Sequence, residues 1–317
     1  MKETLVQPTI ALGPTGLRVS PLCLGANVFG WTADEDASFA VLDAYAAAGG
    51  NFIDTADGYG DWVEGNPRGQ SERIIGRWMA ARGNRDELVI ATKVGKAQGM
   101  RGLADATIRA GCDASLERLG TDRIDLYYAH ADDPETPLDE TMAAFDAVVR
   151  AGMVRHVAAS NYSAERLAEA LRVSDRDGHA RYVALQPEYN LVSRSEYEGD
   201  LQDMCVAEGI ACMPYYALAS GFLSGKYRPG GPEVVSARAS SARKHLDDGG
   251  AGVLAVLDEV AAAHETTVAA VALAWLRAQP GVTAPIASAR TPEQLAELLP
   301  MASLELGADE LGRLSAA

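Results

Sequence analysis

Hydrophobic positions along the chain fall into one repeating phrase. A short, almost wholly apolar run is followed by a loop, then by a stretch whose apolar residues recur every three to four positions. The apolar runs are LCLG (22–25), NFIDT (51–55), LVIATKV (88–94), RIDLYYAH (123–130), VRHVAAS (154–160), YVALQPE (182–188), IACMPYY (210–216) and VTAPIAS (282–288). They do not alternate polar with apolar, so they predict strands covered on both faces, as in parallel sheets. The stretches between them include DEDASFAVLDAYAAAG, SERIIGRWMAARG, DATIRAGCDASLERLG and LDETMAAFDAVVRAG. These predict amphipathic helices, several opening on an acid or hydroxyl residue and stopping at glycine, as caps require. Upstream, TIALGPTGLRVS predicts a hairpin.

Eight such units in about 250 residues or somewhat more is the rhythm of an α/β (β/α)8 barrel, here with an N-terminal hairpin and extra C-terminal helices. A doubly wound sheet is the alternative, but the first run continues as GANVFGW, without the G-x-G-x-x-G turn that such a sheet carries. No linker or break in composition interrupts the chain, so one domain over residues 1–317 is expected. The longest irregular stretch, residues 223–250, predicts a loop that is functional or partly disordered.

In a barrel, the C-terminal ends of the strands surround one mouth. The second run ends on Asp54 and its loop offers Tyr59. The third offers Lys93 near its end, and the fourth ends on His130. Singly, each has an ordinary structural reading: a loop or capping acid, a tyrosine lid, a snorkelling lysine, a satisfied core histidine. Together they place a carboxylate, a phenol, an ammonium and an imidazole on one rim. A lysine in a buried strand needs a partner, and Asp54 on the neighbouring strand supplies one. A cation about 4 Å from the phenol would draw its pKa down from about 10, by up to about three units. A phenol so tuned can protonate a carbonyl oxygen that receives a hydride, with His130 orienting that oxygen.

Charge narrows the ligand classes. The chain carries a net charge of −16 with 48% hydrophobic residues and a pI near 4.7. Such a surface repels nucleic acid and anionic membranes, so neither is expected as a partner, and an anionic ligand needs a local cluster of cations. Cys23, Cys112, Cys205 and Cys212 form no CxxC pair and, with histidine, no zinc-ligand spacing, so reduced thiols and no metal are expected. The opening segment has no continuous apolar leader and no run approaches about 20 apolar residues. A cytoplasmic protein is expected.

The segments DTADGYG, TKVG and LYYAH resemble the Asp, Tyr, Lys, His tetrad of the aldo-keto reductases. The likeness continues through LGPTGLRVSPLCLGANVFG, ASNYS, LQPEYN, YYALASGFLSGKY and PIASARTPEQLAELL, in family order. The resemblance implies a barrel that binds NADPH/NADP+ and reduces aldehydes or ketones, small-molecule carbonyl substrates, with Tyr59 as proton donor tuned by Lys93 and Asp54. It also implies that Ser160, Asn161 and Gln186 hold the nicotinamide carboxamide and that Tyr215 stacks on the ring. Leu218, Ser220, Gly221 and Lys226 then border the pyrophosphate. Ser288 and Arg290, with a helix N-terminus, hold the 2′-phosphate, and Gln294 and Glu297 the adenosine side. Leu298, where the family often has Asn, departs from the pattern. Trp31, Trp62 and Phe29 are candidate walls of a substrate pocket that Tyr128 and Tyr189 approach.

Two other readings stay open. One is an NADPH-binding regulatory subunit resembling potassium-channel β subunits. The other is a barrel isomerase or aldolase using Lys93 as a Schiff base, which requires a desolvated lysine of low pKa. Oligomeric state is undetermined by the sequence.

Overall fold

The computed structural model describes residues 8–317, Asp247 by its backbone alone. Residues 1–7, the start of the segment read above as lacking an apolar leader, lie outside the described residues. All eight expected runs form strands of one sheet: β1 (Cys23–Gly25), β2 (Phe52–Asp54), β3 (Val89–Val94), β4 (Ile124–Ala129), β5 (Val154–Ser160), β6 (Tyr182–Gln186), β7 (Ala211–Cys212) and β8 (Ile286–Ala287). Neighbours are parallel, in the order β7-β6-β5-β4-β3-β2-β1-β8. The sheet closes on itself. Cys212 N donates to Gly281 O at 3.0 Å, Thr283 N to Cys212 O at 2.8 Å, and Ile286 N to Pro214 O at 2.8 Å. The fold is the (β/α)8 barrel.

Strand burial follows from this closure. In β3, Val89 and Ala91 point into the barrel with Phe52, Leu126 and Tyr128, while Ile90 and Val94 pack outward against the helices. The helices on that outer layer include α1 (Glu35–Ala47), α2 (Gln70–Arg82), α3 (Asp105–Leu119), α4 (Leu138–Arg150) and α5 (Ala164–Asp177). Caps read from the sequence are in place. Asp34 accepts from Ala37 N at 2.9 Å to open α1, and Gly120, at φ 61°, ends α3 in the left-handed conformation that favours glycine.

The hairpin Ile10–Ala11/Arg18–Val19 closes the N-terminal end of the barrel, its Leu12 and Val19 joining the inner cluster. Chemistry is thereby confined to the opposite end. Two elements at that end differ from the sequence reading. A small hairpin, Lys96–Ala97/Met100–Arg101, follows β3. The stretch 223–250 is not wholly a loop. It contains the helix Ala239–Asp247, seated by buried Ala242, with His245 against the Phe222 ring at 5.4 Å. Its sequence, ASSARKHLD, has too narrow an apolar stripe to announce a helix. Its seat on Phe222 supplies what propensity lacks. No described helix is long and apolar enough to cross a membrane.

Candidate active site

The pairing of β2 with β3 sets the site. Asp54 lies opposite Ala91, so Lys93, two residues further along the pleat, shares its inward face. Lys93 is fully buried and each N–H of its ammonium has a partner: Asp54 Oδ2 at 2.6 Å, Thr55 O at 2.8 Å and the Tyr59 hydroxyl at 3.1 Å. The Tyr128 ring lies 5.8 Å beneath it. Burial opposes the lysine charge, but Asp54 and Tyr59 outweigh it and raise the pKa. Lys93 is therefore a charged donor with no free lone pair, which argues against the Schiff-base reading. The other oxygen of Asp54 accepts from Gln186 Nε2 at 2.9 Å, a bond across the barrel from β2 to β6.

Tyr59 departs from the sequence expectation in one respect. The Lys93 cation, 3.1 Å from the hydroxyl, does draw its pKa down. Burial nevertheless acts more strongly, and the pKa stands above its ordinary value. The hydroxyl thus keeps its proton through neutral pH, with a cation already in place for the anion left when that proton departs. The His130 ring is 6.0 Å from the Tyr59 ring. Burial, then the charges of Lys93 and Lys96, hold its pKa well below the usual range, so it is a neutral imidazole at pH 7.

From this tetrad a groove runs along two arms that share Asn27, Trp31, Tyr59, Tyr215, Tyr216, Ser220 and Arg238. One arm passes His130, Ser160, Asn161, Gln186, Trp62 and Lys96. The other passes Leu218, Gly221, Lys226, Ser288, Arg290 and Gln294. Polar residues on the first arm form a chain: Tyr215 donates to Asn161 Oδ1 at 2.8 Å, Asn161 Nδ2 to His130 O at 2.8 Å, and Ser160 Oγ to Gln186 O at 2.8 Å. On the second arm, Gly25 forms the floor. A Cβ there would stand 2.8 Å from Ser288 Oγ and 2.9 Å from Ile286 Cγ2. Backbone strain marks the segment joining the arms, with Tyr216, Ala219 and Ser220 at φ 51°, 47° and 58°. Such conformations cost on the order of 1–3 kcal/mol each and persist only where the surroundings impose them. Buried Asn190 holds the first of these by donating to Tyr216 O at 3.1 Å.

Not every expected residue lines the groove. Glu297 is exposed beside it, its charge facing Lys226. Phe29 is wholly buried in the core, Tyr128 lies under Lys93, and Tyr189 packs on Tyr197 and Trp275. Leu298 is buried beneath the short helix Pro292–Leu298. The start of that helix is also less open than expected. Thr291 accepts from Gln294 N at 3.3 Å, and Gln294 Oε1 accepts from Arg290 N at 3.0 Å; Ser288, Arg290 and Gln294 line the groove there.

Arg238 and Asn27 were not singled out from the sequence. Arg238 lies over the rings of Trp31 at 5.4 Å and Tyr216 at 5.8 Å, where the arms meet. Asn27 accepts from Ser288 Oγ at 2.8 Å. One cation among several in a long irregular stretch and a lone amide after a strand carry no sequence signal; only their neighbours reveal them.

Comparison with known proteins adds three findings. The model of the Aldo/keto reductase family matches residues 21–317. The chain is 36% identical over 314 residues to "Uncharacterized oxidoreductase YrpG" of Bacillus subtilis, covering 96% of this chain and 94% of that protein. It is 33% identical to "Norsolorinic acid reductase stcV" of Emericella nidulans over 93% of this chain and 77% of that one. It is also 33% identical to a "Probable voltage-gated potassium channel subunit beta" of Oryza sativa, over 90% of this chain and 88% of that one.

Proposed function

Because this chain belongs to the aldo/keto reductase family, a family of oxidoreductases that generally use nicotinamide cofactors, we propose that it reduces aldehydes or ketones to alcohols with NADPH. The observation that carries this reading is the buried Asp54–Lys93–Tyr59 array beside a neutral His130. The groove fits a dinucleotide. Small residues, Gly25, Ser220 and Gly221, line it, and Lys226, Arg238 and Arg290 bring cations to it against a net charge of −16. Ser160, Asn161, Gln186 and Tyr215 would hold the nicotinamide end, Leu218, Ser220, Gly221, Lys226 and Arg238 the phosphates between, and Ser288, Arg290 and Gln294 the adenosine end.

When bound, the nicotinamide supplies the hydride. Every other requirement falls on the chain. Tyr59 meets the substrate oxygen with its proton in place, since its pKa is raised. Lys93 already donates to that hydroxyl and takes up the negative charge left as the proton moves out. Asp54 keeps Lys93 charged and fixed. His130, neutral, donates a hydrogen bond to the same substrate oxygen and sets its direction. Buried, unpaired thiols support a reducing, cytoplasmic setting.

NADPH oxidation measured across a panel of aromatic and aliphatic aldehydes, α-dicarbonyls and ketones tests the reading. Turnover is expected, and Tyr59→Phe should lower kcat by about 10²–10⁴-fold with the NADPH Kd little changed, because only the hydroxyl is removed. Near-wild-type turnover in that variant, with chemistry rate-limiting, would remove Tyr59 from the role. The likeness to a channel-subunit relative keeps a second reading, a cofactor-binding regulatory subunit. Tight NADPH binding without turnover on any carbonyl of the panel would favour it.

A further inference from the structure

Charge is sorted sharply along the groove. Lys96, Lys226, Arg238 and Arg290 line it, and the one acid among its described lining residues is Asp54, occupied by Lys93 and Gln186. None of the four cations joins an ion pair among the described residues, whereas Arg77, Arg82, Arg118, Arg166 and Arg228 all do. Position divides the four. Lys226 and Arg290 lie only on the arm that ends at Gln294, and Arg238 stands where the arms meet. A dinucleotide in that arm uses all three. Lys96 lines only the other arm, with Trp62 and His130. It opens the hairpin after β3, three residues past Lys93, and nothing in the proposed cofactor site requires it.

Lys96 itself is exposed, and aromatic rings line the same arm. Trp31 and Trp62 meet edge to face at 5.6 Å, Trp62 meets Tyr59 at 6.2 Å, and Trp62 and Tyr216 are 53% and 42% exposed at the rim. We propose that the substrate is an aromatic aldehyde or ketone bearing a carboxylate, its ring among Trp31, Trp62 and Tyr59 and its carboxylate paired with Lys96. This rests on the carbonyl-reductase reading above. Although Lys96 is exposed, desolvation by its neighbours and then the Lys93 charge weigh against its cation, and the charge of a ligand anion offsets them. The competing account is that Lys96 acts at a distance, as one of the charges that keep His130 neutral. In that case it would not distinguish charged from uncharged substrates.

The test compares 4-carboxybenzaldehyde with its neutral methyl ester, methyl 4-formylbenzoate. Wild type is expected to favour the carboxylate by about tenfold or more in kcat/KM, mainly through KM, as one charge-assisted contact provides. The preference should shrink as salt is raised. Lys96→Met should bring the ratio to about one and Lys96→Arg should keep most of it. A second measurement needs no turnover: benzoate and benzamide are titrated onto the protein with NADP+ present, followed by tryptophan fluorescence. Benzoate should bind more tightly, and only while residue 96 is a cation. No preference in wild type, or a preference that survives Lys96→Met, overturns the proposal. Benzoate binding that depends on Lys96, with neither aldehyde reduced, would sustain the anion site and instead sink the carbonyl-reductase reading.

Discussion

At the scale of single residues, Lys93 decides the electrostatics of the mouth. Its three hydrogen bonds tie one strand end to the loop beyond it, and its charge bears on both Tyr59 and His130. Under the proposed mechanism, Lys93→Met removes the cation that would receive the developing phenolate and leaves Asp54 buried beside an apolar chain. Loss of a preorganised charge of this kind typically costs 10²–10³-fold in kcat. The pH dependence has a definite sign. Because the Tyr59 pKa is raised, its proton is present through neutral pH, and carbonyl reduction should stay level until the solution is alkaline enough to remove it. Lys93 is the group that lowers that pKa, so the variant's residual activity should decline at higher pH than wild type, not lower. A pH–rate profile of both proteins checks this; a decline moved to lower pH would contradict the electrostatic pair.

At the scale of elements, the arm from Gly25 to Gln294 is built from pieces far apart in sequence: the β1 end, the strained segment 216–221 and the loop after β8. The short helix Pro292–Leu298 is capped by Thr291, whose hydroxyl takes the Gln294 N–H, and the proposed site for an adenosine phosphate there rests on Arg290 and Ser288. Arg290→Ala should therefore raise the NADPH Kd about tenfold, since one charge-assisted contact is worth roughly 1.5 kcal/mol or more and 1.4 kcal/mol is tenfold. NADH binding should change little. Titration of both cofactors into wild type and variant measures the difference, and equal losses would assign Arg290 to the fold or the shared pyrophosphate.

At the scale of the whole molecule, one buried acid sets a pH dependence of stability. Asp57, between Asp54 and Tyr59, is 1% exposed and both its oxygens lack a hydrogen-bond partner among the described residues. Burial, with Glu72 and Asp61 adding to it and Arg118 and Arg68 opposing, pushes its pKa from 3.8 up to about 7. The folded chain then holds a proton that the unfolded chain releases between those values, so this residue's contribution to stability falls as pH rises from about 4 to about 7. The full penalty, at most about 4 kcal/mol at 1.36 kcal/mol per pKa unit, applies above pH 7. Asp57→Asn should raise Tm by several degrees at pH 8 and hardly at all at pH 4. Thermal melts at both pH values decide it, and an equal gain at both would mean the acid is not titrating. His130 works in the opposite sense, because its lowered pKa withdraws stability as pH falls below about 6.5.

The sequence by itself determined the eight strands, their parallel character, the caps of several helices and the four polar residues at one rim. Those features follow from local pattern: unbroken apolar runs need two covered faces, and Asp54, Lys93 and His130 sit at fixed distances from the ends of their own strands. It also marked most of the residues that line the groove, through motifs each a few residues long. What it left undecided depends on groups that meet only after closure. Gln186 reaches Asp54 from a strand 132 positions away, and Arg238 settles on Trp31 and Tyr216 from a stretch with no hydrophobic rhythm. The proton of Tyr59 belongs to the same class. Proximity of a lysine argued for a lower pKa, but the depth of burial that reverses it is a property of the packed barrel, summed over neighbours from many strands.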